Sequence, residues 1–480
     1  MMVLNDIKRI YFAGIGGIGM SAIARFFLSK GVVVSGYDKT PTALTRQLEA
    51  EGAAIHYTDD VALLDKDVQL VVFTPAIPAD HAGLSWYKAQ QYPIVKRSDV
   101  LQIITESSFN ICIAGTHGKT SISTMVGHLL RHSGYGCNVF LGGISVNYQT
   151  NFWSSTNNVT VVEADEYDRS FLKLSPDIAV VTAMDADHLD IYGTVEAMRE
   201  AFVAFAGRLR PGGLLIRKHH LLQLDEAAPG RLLSYRLSDD DKHHAVVDTE
   251  FDEHDHHHHG HDAPADVYAA NIRVQQGGYL FDAHIAGAVL RDVQLHVGGL
   301  HNIENMLVAI CIAKALRISD ELIKAGVASY QGVRRRFEYV LAPGAQANGR
   351  ILIDDYAHHP EELRALITSA RQLFPGKQMQ VLFQPHLYSR TRDLATAFAE
   401  VLSLADEVVL LPIYPARELP IAGVSSHLIA LQMPAGKCQV MEREAWLLHL
   451  AQRPPALLIT AGAGDIDLLL PQAKQLMMTS

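Results

Sequence analysis

An α/β fold of open, mostly parallel sheets in three successive units is predicted by three observations. Short β-branched runs alternate with amphipathic stretches from end to end, the pattern of strand–helix–strand units. The pattern restarts twice, near residues 107 and 332, each time with its own loop chemistry. The chain also has 480 residues, too many for one small domain, and its 48% hydrophobic content can fill several cores. Domains are expected at 1–107, 108–332 and 333–480, with no repeat of short period.

In the first unit, strands are expected at residues 9–13, 32–37 and 70–74, and a helix at 20–29. Between the first strand and the helix lies Gly14-Ile15-Gly16-Gly17-Ile18-Gly19. Glycines there let backbone amides and a helix N-terminus approach a diphosphate closely. Asp38 closes the next strand, where an acid can take a ribose hydroxyl. Alone, this loop fits a nucleotide-diphosphate site of unspecified base, a nicotinamide oxidoreductase included.

In the second unit, strands are expected at 110–114, 159–163 and 177–182, and a helix at 301–316. Gly115-Thr116-His117-Gly118-Lys119-Thr120 sits between strand and helix and reads as a short phosphate loop. Its amides would surround an anion, Lys119 would add mobile positive charge, and Thr120 would offer a hydroxyl to Mg²⁺. The usual longer spacing fails, because Ile113 stands where a first glycine is required. Ligands for the metal are available at two strand ends: the carboxylates of Glu163, Asp165 and Glu166 after one strand, and His188, between Asp187 and Asp190, after the next.

Residues 239–262 hold nine acids and eight histidines and are expected to be a hydrated loop that binds transition metals only adventitiously. The third unit has expected strands at 351–354, 378–383, 407–411 and 456–460.

Composition narrows the function. Forty-one Lys+Arg against 52 Asp+Glu give a net charge of −11, which argues against nucleic acid or a membrane surface as the main partner. No apolar run is long enough to span a bilayer. The start does not read as a signal peptide, and the four scattered cysteines form no CxxC pair. A cytoplasmic protein is expected.

GTHGKT, EADEYD, DADHLDIYG, HNIENM, GVRRRFE, DDYAHHPEE and QPHLYSRTRD follow one another across most of the chain. In this order they resemble the Mur ligase superfamily, and within it the alanine-adding branch. The resemblance implies an N-terminal Rossmann-like UDP-sugar domain, a central P-loop ATPase domain and a C-terminal Rossmann-like domain that receives the amino acid. It implies ATP-dependent joining of L-alanine to UDP-N-acetylmuramate through an acyl phosphate, with Mg²⁺, by a monomer or weak homodimer.

The resemblance also implies residue roles. Gly14, Gly16, Gly17, Gly19, Asp38 and Thr74 would bind the UDP-sugar. Gly115, Thr116, His117, Gly118, Lys119, Thr120, Asn302, Asn305, Arg336 and Asp355 would bind ATP. Thr120, Glu163 and His188 would hold the metal, and Lys119, Arg336 and His188 would act in catalysis. Tyr356, His358, His386 and Arg390 would surround the amino acid. No lysine occurs between Met184 and Leu209, as expected of this branch and not of relatives that carry a carboxylated lysine there. Leu387 departs from the pattern, standing where some alanine-adding relatives have a basic residue. The nearest alternative is a ligase of the same branch that attaches recycled tripeptide to UDP-N-acetylmuramate.

Overall fold

The computed structural model describes residues 6–167, 169–185, 189–237, 265–346, 348–416 and 418–479. His188 and the acid- and histidine-rich stretch 239–262 lie outside the described residues. Three sheets follow one another along the chain.

The first sheet contains β1 (Arg9–Ala13), β2 (Val33–Tyr37), β3 (Ala54–His56), β4 (Leu70–Phe73) and β5 (Ile94–Lys96). All neighbours are parallel, in the order β3-β2-β1-β4-β5. Strand order reverses at β1, so a crevice opens beyond its carboxyl end, where open α/β sheets take ligands. The glycine loop follows β1 directly and leads into the helix Ile18–Ser29.

The central sheet contains β6 (Phe109–Ala114), β7 (Asn138–Ser145), β8 (Thr150–Trp153), β9 (Val159–Glu163), β10 (Ile178–Val181), β11 (Leu214–Lys218), β12 (Arg231–Leu237), β13 (Val267–Gln275), β14 (Gly278–Ile285) and β15 (Ala288–Leu295). Its order is β15-β14-β13-β12-β11-β10-β6-β9-β7-β8. β6 is flanked by β10 and β9, so the carboxyl ends of all three meet at the second glycine loop. The helices Lys119–His132 and Leu300–Ala315 pack on this sheet through Met125, Leu129, Ile303 and Leu307, all buried.

The third sheet contains β16 (Glu338–Leu341), β17 (Ile351–Asp355), β18 (Met379–Phe383), β19 (Glu407–Leu410), β20 (Cys438–Val440) and β21 (Leu457–Ala461). Its order is β16-β17-β21-β18-β19-β20, with only β16 antiparallel.

The sequence expectation of parallel units needs correcting at both edges of the central sheet. At one edge β8 runs antiparallel to β7. At the other β13, β14 and β15 form an antiparallel meander. Its turns pair Gln276 with Gly277 and Ala286 with Gly287, all four residues at positive φ. Two successive positive-φ residues are what a two-residue hairpin requires, and neither pair carries the asparagine or aspartate that usually announces one.

Candidate active site

A cavity of about 960 Å³ begins at the first glycine loop and ends at the second. Its outer end is lined by Gly14, Gly17, Gly19, Asp38 and Thr74, its inner end by Lys119, Gly142, Glu163 and Asp165. Five of the six residues expected at the UDP-sugar therefore share one space. The sixth, Gly16, braces the loop by donating its amide to Asp38 Oδ2 at 2.8 Å. Gly14 has φ +86°, and a Cβ there would meet Thr74 Cγ2 at 2.8 Å, so glycine is required on both counts.

The second loop is held by its neighbours. Thr116 donates its amide to Ala183 O at 3.2 Å, and Asn305 Oδ1 lies 3.0 Å from where a Gly118 Cβ would stand. Asn305 in turn donates to Asn302 Oδ1 at 3.2 Å, and both asparagines are buried. His117 and Asp185 form a loose, exposed pair at 3.4 Å. Lys119 Nζ donates to Gly115 O at 2.8 Å and to both oxygens of the buried Glu166 at 2.7 Å.

Glu163 ends β9 beside this loop. It accepts from Thr120 Oγ1 at 3.0 Å and from the Gly142 amide at 2.5 Å. Burial pushes its carboxyl pKa up, opposed by these hydrogen bonds and by the charges of Arg336 and Lys119. A hydroxyl and a partly desolvated carboxylate side by side make a hard-oxygen pair that fits Mg²⁺. The third expected ligand, His188, lies outside the described residues.

The linker between the second and third units carries Arg334, Arg335 and Arg336, and their bonds diverge. Arg334 donates its amide to Ile144 O at 2.9 Å and its guanidinium to Gln149, both in the central domain. Arg335 turns the other way. Its guanidinium reaches Gly464 O at 3.1 Å, donates also to Gly462 O, and lies over the Tyr356 ring at 5.0 Å. Arg336 projects its charge onto Glu163 and Asp355, lowering the pKa of each against the effect of burial. Both oxygens of Asp355 accept backbone amides, from Phe337 at 2.7 Å and Ala357 at 2.8 Å. The expectation that Asp355 touches the nucleotide thus meets a residue already fastening the linker to β17.

The four residues expected at the amino acid come together at the ends of β17 and β18. Ring centroids of Tyr356 and His358 lie 5.3 Å apart, and those of His358 and His386 lie 6.1 Å apart. Arg390 Nη1 sits 3.4 Å from His386 Nδ1, and His386 stacks on Tyr414 at 5.7 Å. Burial, then the Arg390 charge, holds His386 below the usual histidine pKa. Among the described residues lining the cavity, none comes from this third unit.

Three features escaped the sequence reading: Arg97 in the cavity wall, Glu166 as the partner of Lys119, and the β7–β8 hairpin between units. That hairpin places Asn151, fully buried, so that it donates to Ile18 O at 2.6 Å and Ser21 Oγ at 2.9 Å while accepting from Arg25. Arg97 left a trace in the sequence as a basic residue just past a strand's carboxyl end, and Glu166 as an acid at another strand end whose pairing with Lys119 was not legible.

Three family models match in succession: the Mur ligase family catalytic domain over residues 9–108, the Mur ligase middle domain over 113–313, and the Mur ligase glutamate ligase domain over 335–469. The chain is 44% identical to the UDP-N-acetylmuramate–L-alanine ligase of Parabacteroides distasonis, across 99% of this chain and 98% of the relative. It is 41% identical to the enzyme of the same name from Flavobacterium johnsoniae, across 99% of both. Among solved structures, the UDP-N-acetylmuramate–alanine ligase of Thermotoga maritima superposes with a TM-score of 0.78 at 25% identity, over 98% of each chain. With three domains in this order and relatives of such identity over their full length, the chain belongs to the Mur ligase family.

Proposed function

We propose that the protein joins L-alanine to the lactyl carboxylate of UDP-N-acetylmuramate while splitting ATP to ADP and phosphate, a step of peptidoglycan precursor synthesis. The observation that carries this reading is the single cavity joining a diphosphate-type glycine loop to Lys119 and Glu163. One substrate can lie along it with its nucleotide at one loop and its acid at the other. The full-length relatives, which are UDP-N-acetylmuramate–L-alanine ligases, support the same chemistry.

Amide formation from a carboxylate needs a better leaving group than hydroxide. A carboxylate oxygen attacks the terminal phosphorus of ATP, the bond to the bridging oxygen breaks, and ADP leaves. The amine of alanine then attacks the acyl phosphate carbon and expels phosphate, giving up a proton. In this reading Lys119 and Arg336 offset the repulsion between carboxylate and phosphate, and their fixed charges favour the transferred group. Thr120 and Glu163, with His188, would hold Mg²⁺, which supplies further charge neutralisation at the phosphates. Gly115, Thr116, His117 and Gly118 would wrap the phosphates, with Asn302 and Asn305 behind them. Arg390 would grip the alanine carboxylate, with Tyr356, His358 and His386 around the amine. Asp355 would touch the nucleotide from the third domain while fastening the linker through the Phe337 and Ala357 amides.

Boundaries at 107 and 332, and a monomer or weak homodimer, belong to the same proposal. So does a cytoplasmic location, supported by four unpaired cysteines. Among the described residues, no helix is long and apolar enough to cross a membrane.

Phosphate release is the deciding assay. It should require ATP, Mg²⁺, UDP-N-acetylmuramate and L-alanine together. Faster turnover with tripeptide than with alanine would move the protein to the recycling reaction.

A further inference from the structure

The cavity contains a guanidinium that neither glycine loop explains. Among its described lining residues Arg97 is the only arginine, and it opens the helix Arg97–Glu106 just after β5. Its side chain lies against the first loop, with Nη1 2.9 Å from where a Gly19 Cβ would stand. Across the cavity Nη2 meets Asp165 Oδ2 at 3.5 Å, a long and loose contact. Asp165 is itself fixed, since its Oδ1 accepts the Tyr167 amide at 3.1 Å. Among the described residues, none accepts from Nε or Nη1 of Arg97.

The helix that carries Arg97 is braced against the central domain. Lys173 donates to Asp99 Oδ1 at 2.5 Å and to Ser98 Oγ at 3.1 Å, tying its first turn across the boundary. The guanidinium is therefore a positioned fork with donors still open, in the gap between the two glycine loops. Its surroundings call for an anion. Lys119 is already matched by Glu166, while Glu163 and Asp165 line the inner end. A substrate carboxylate passing Glu163 and Asp165 on its way to a phosphate meets repulsion there, which the charge of Arg97 beside Asp165 offsets.

We propose that Arg97 receives the lactyl carboxylate of UDP-N-acetylmuramate and turns one of its oxygens toward the terminal phosphate of ATP, an assignment that rests on the function proposed above. A planar guanidinium matches a carboxylate through two parallel hydrogen bonds, and this geometry fixes direction as well as position. Arg97 stays protonated throughout. Each carboxylate oxygen keeps a lone pair beyond its hydrogen bond, so the one turned toward the phosphate supplies the electron pair for the new P–O bond and the other becomes the acyl carbonyl.

Calorimetric titration of Arg97→Gln and Arg97→Lys with two ligands tests this. UDP carries the diphosphate but no carboxylate; UDP-N-acetylmuramate carries both. Arg97→Gln should bind UDP-N-acetylmuramate about 10–100-fold more weakly than wild type while binding UDP equally well, the range expected for a lost charged hydrogen bond. Unchanged UDP affinity also shows that the variant is folded. Arg97→Lys should recover only part of the loss, because an ammonium lacks the fork. Equal weakening for both ligands would assign Arg97 to the diphosphate, and no weakening for either would remove it from substrate binding; each result overturns the proposal. A wild-type protein that binds UDP yet neither prefers nor turns over UDP-N-acetylmuramate would instead defeat the proposed function, and the role of Arg97 with it.

Discussion

Lys119 and Arg390 are the two side chains whose loss should separate the halves of the reaction. Lys119 makes its three hydrogen bonds entirely within the central domain, so Lys119→Ala leaves the first domain untouched. Ligation should fall on the order of 10²–10⁴-fold, because positioned charge is the main protein contribution to phosphoryl transfer. Calorimetry should show unchanged UDP-sugar affinity, and near-wild-type ligation would remove Lys119 from the phosphate site. Arg390 stands in the other cluster, beside His386. Arg390→Lys should raise the Michaelis constant for alanine on the order of tenfold, with that for ATP nearly flat, since a point charge replaces a two-point grip. Steady-state kinetics in each substrate checks this; an effect on ATP alone would place Arg390 with the nucleotide.

At the scale of elements, the β7–β8 hairpin and the end of β17 each make a measurable claim. Asn151 holds the first turn of the glycine-loop helix and also takes a hydrogen bond from the buried Arg25. Asn151→Ala leaves that guanidinium and the Ser21 hydroxyl short of a partner, at a cost of about 1–3 kcal/mol. Urea unfolding should show the loss, together with weaker UDP binding; an unaffected UDP affinity would mean that the hairpin does not set the loop. Asp354, at the end of β17, is fully buried, accepts from Thr460 Oγ1 at 2.6 Å, and has its pKa raised to about 7 chiefly by burial. A carboxyl raised in the fold favours the protonated state. Its stabilisation is therefore complete below the unfolded pKa near 4 and is lost as pH rises through about 7. Asp354→Asn lacks this dependence, so wild type should lose a few kcal/mol relative to the variant between pH 4 and 8. Parallel stability–pH curves would refute the assignment.

These elements also show what could be read in advance. β1, β6 and the glycine loops were legible because a strand, a tight turn and a helix start leave local marks. The β13–β15 meander was not, because its turns use glutamine and alanine at positive φ. The four residues of the third-domain cluster were named from their motifs, whereas the Lys119–Glu166 pair was missed. That bond joins residues on different elements, and no spacing rule connects them. Asn151 was invisible for the same reason: its partners, Ile18, Ser21 and Arg25, lie in another domain.

Across the whole molecule, the stretch 239–262 is the part expected to matter least to the reaction. β12 and β13 are parallel neighbours with Tyr235 opposite Val267, so the two chain ends to be joined lie side by side. Deleting residues 243–261 leaves enough chain at 238–242 and 262–266 to bridge them. Ligation should stay close to that of the intact protein, measured in the same phosphate-release assay. Collapse of activity rescued only by a transition metal would show that the stretch serves catalysis.

The parting of Arg334 and Arg335 has an evolutionary consequence. One arginine is tied to the body that would prepare the acid and the next to the body that would choose the amine, so the anchorage changes over across a single peptide bond, while Arg336 beyond it turns its charge back on Glu163. A lineage could inherit a new amine preference by exchanging everything beyond that changeover, provided the incoming piece brings its own Arg335, Arg336, Asp355 and glycine carbonyls. Grafting only the amine pocket would leave those fasteners mismatched, so inheritance should favour whole third domains over patchwork.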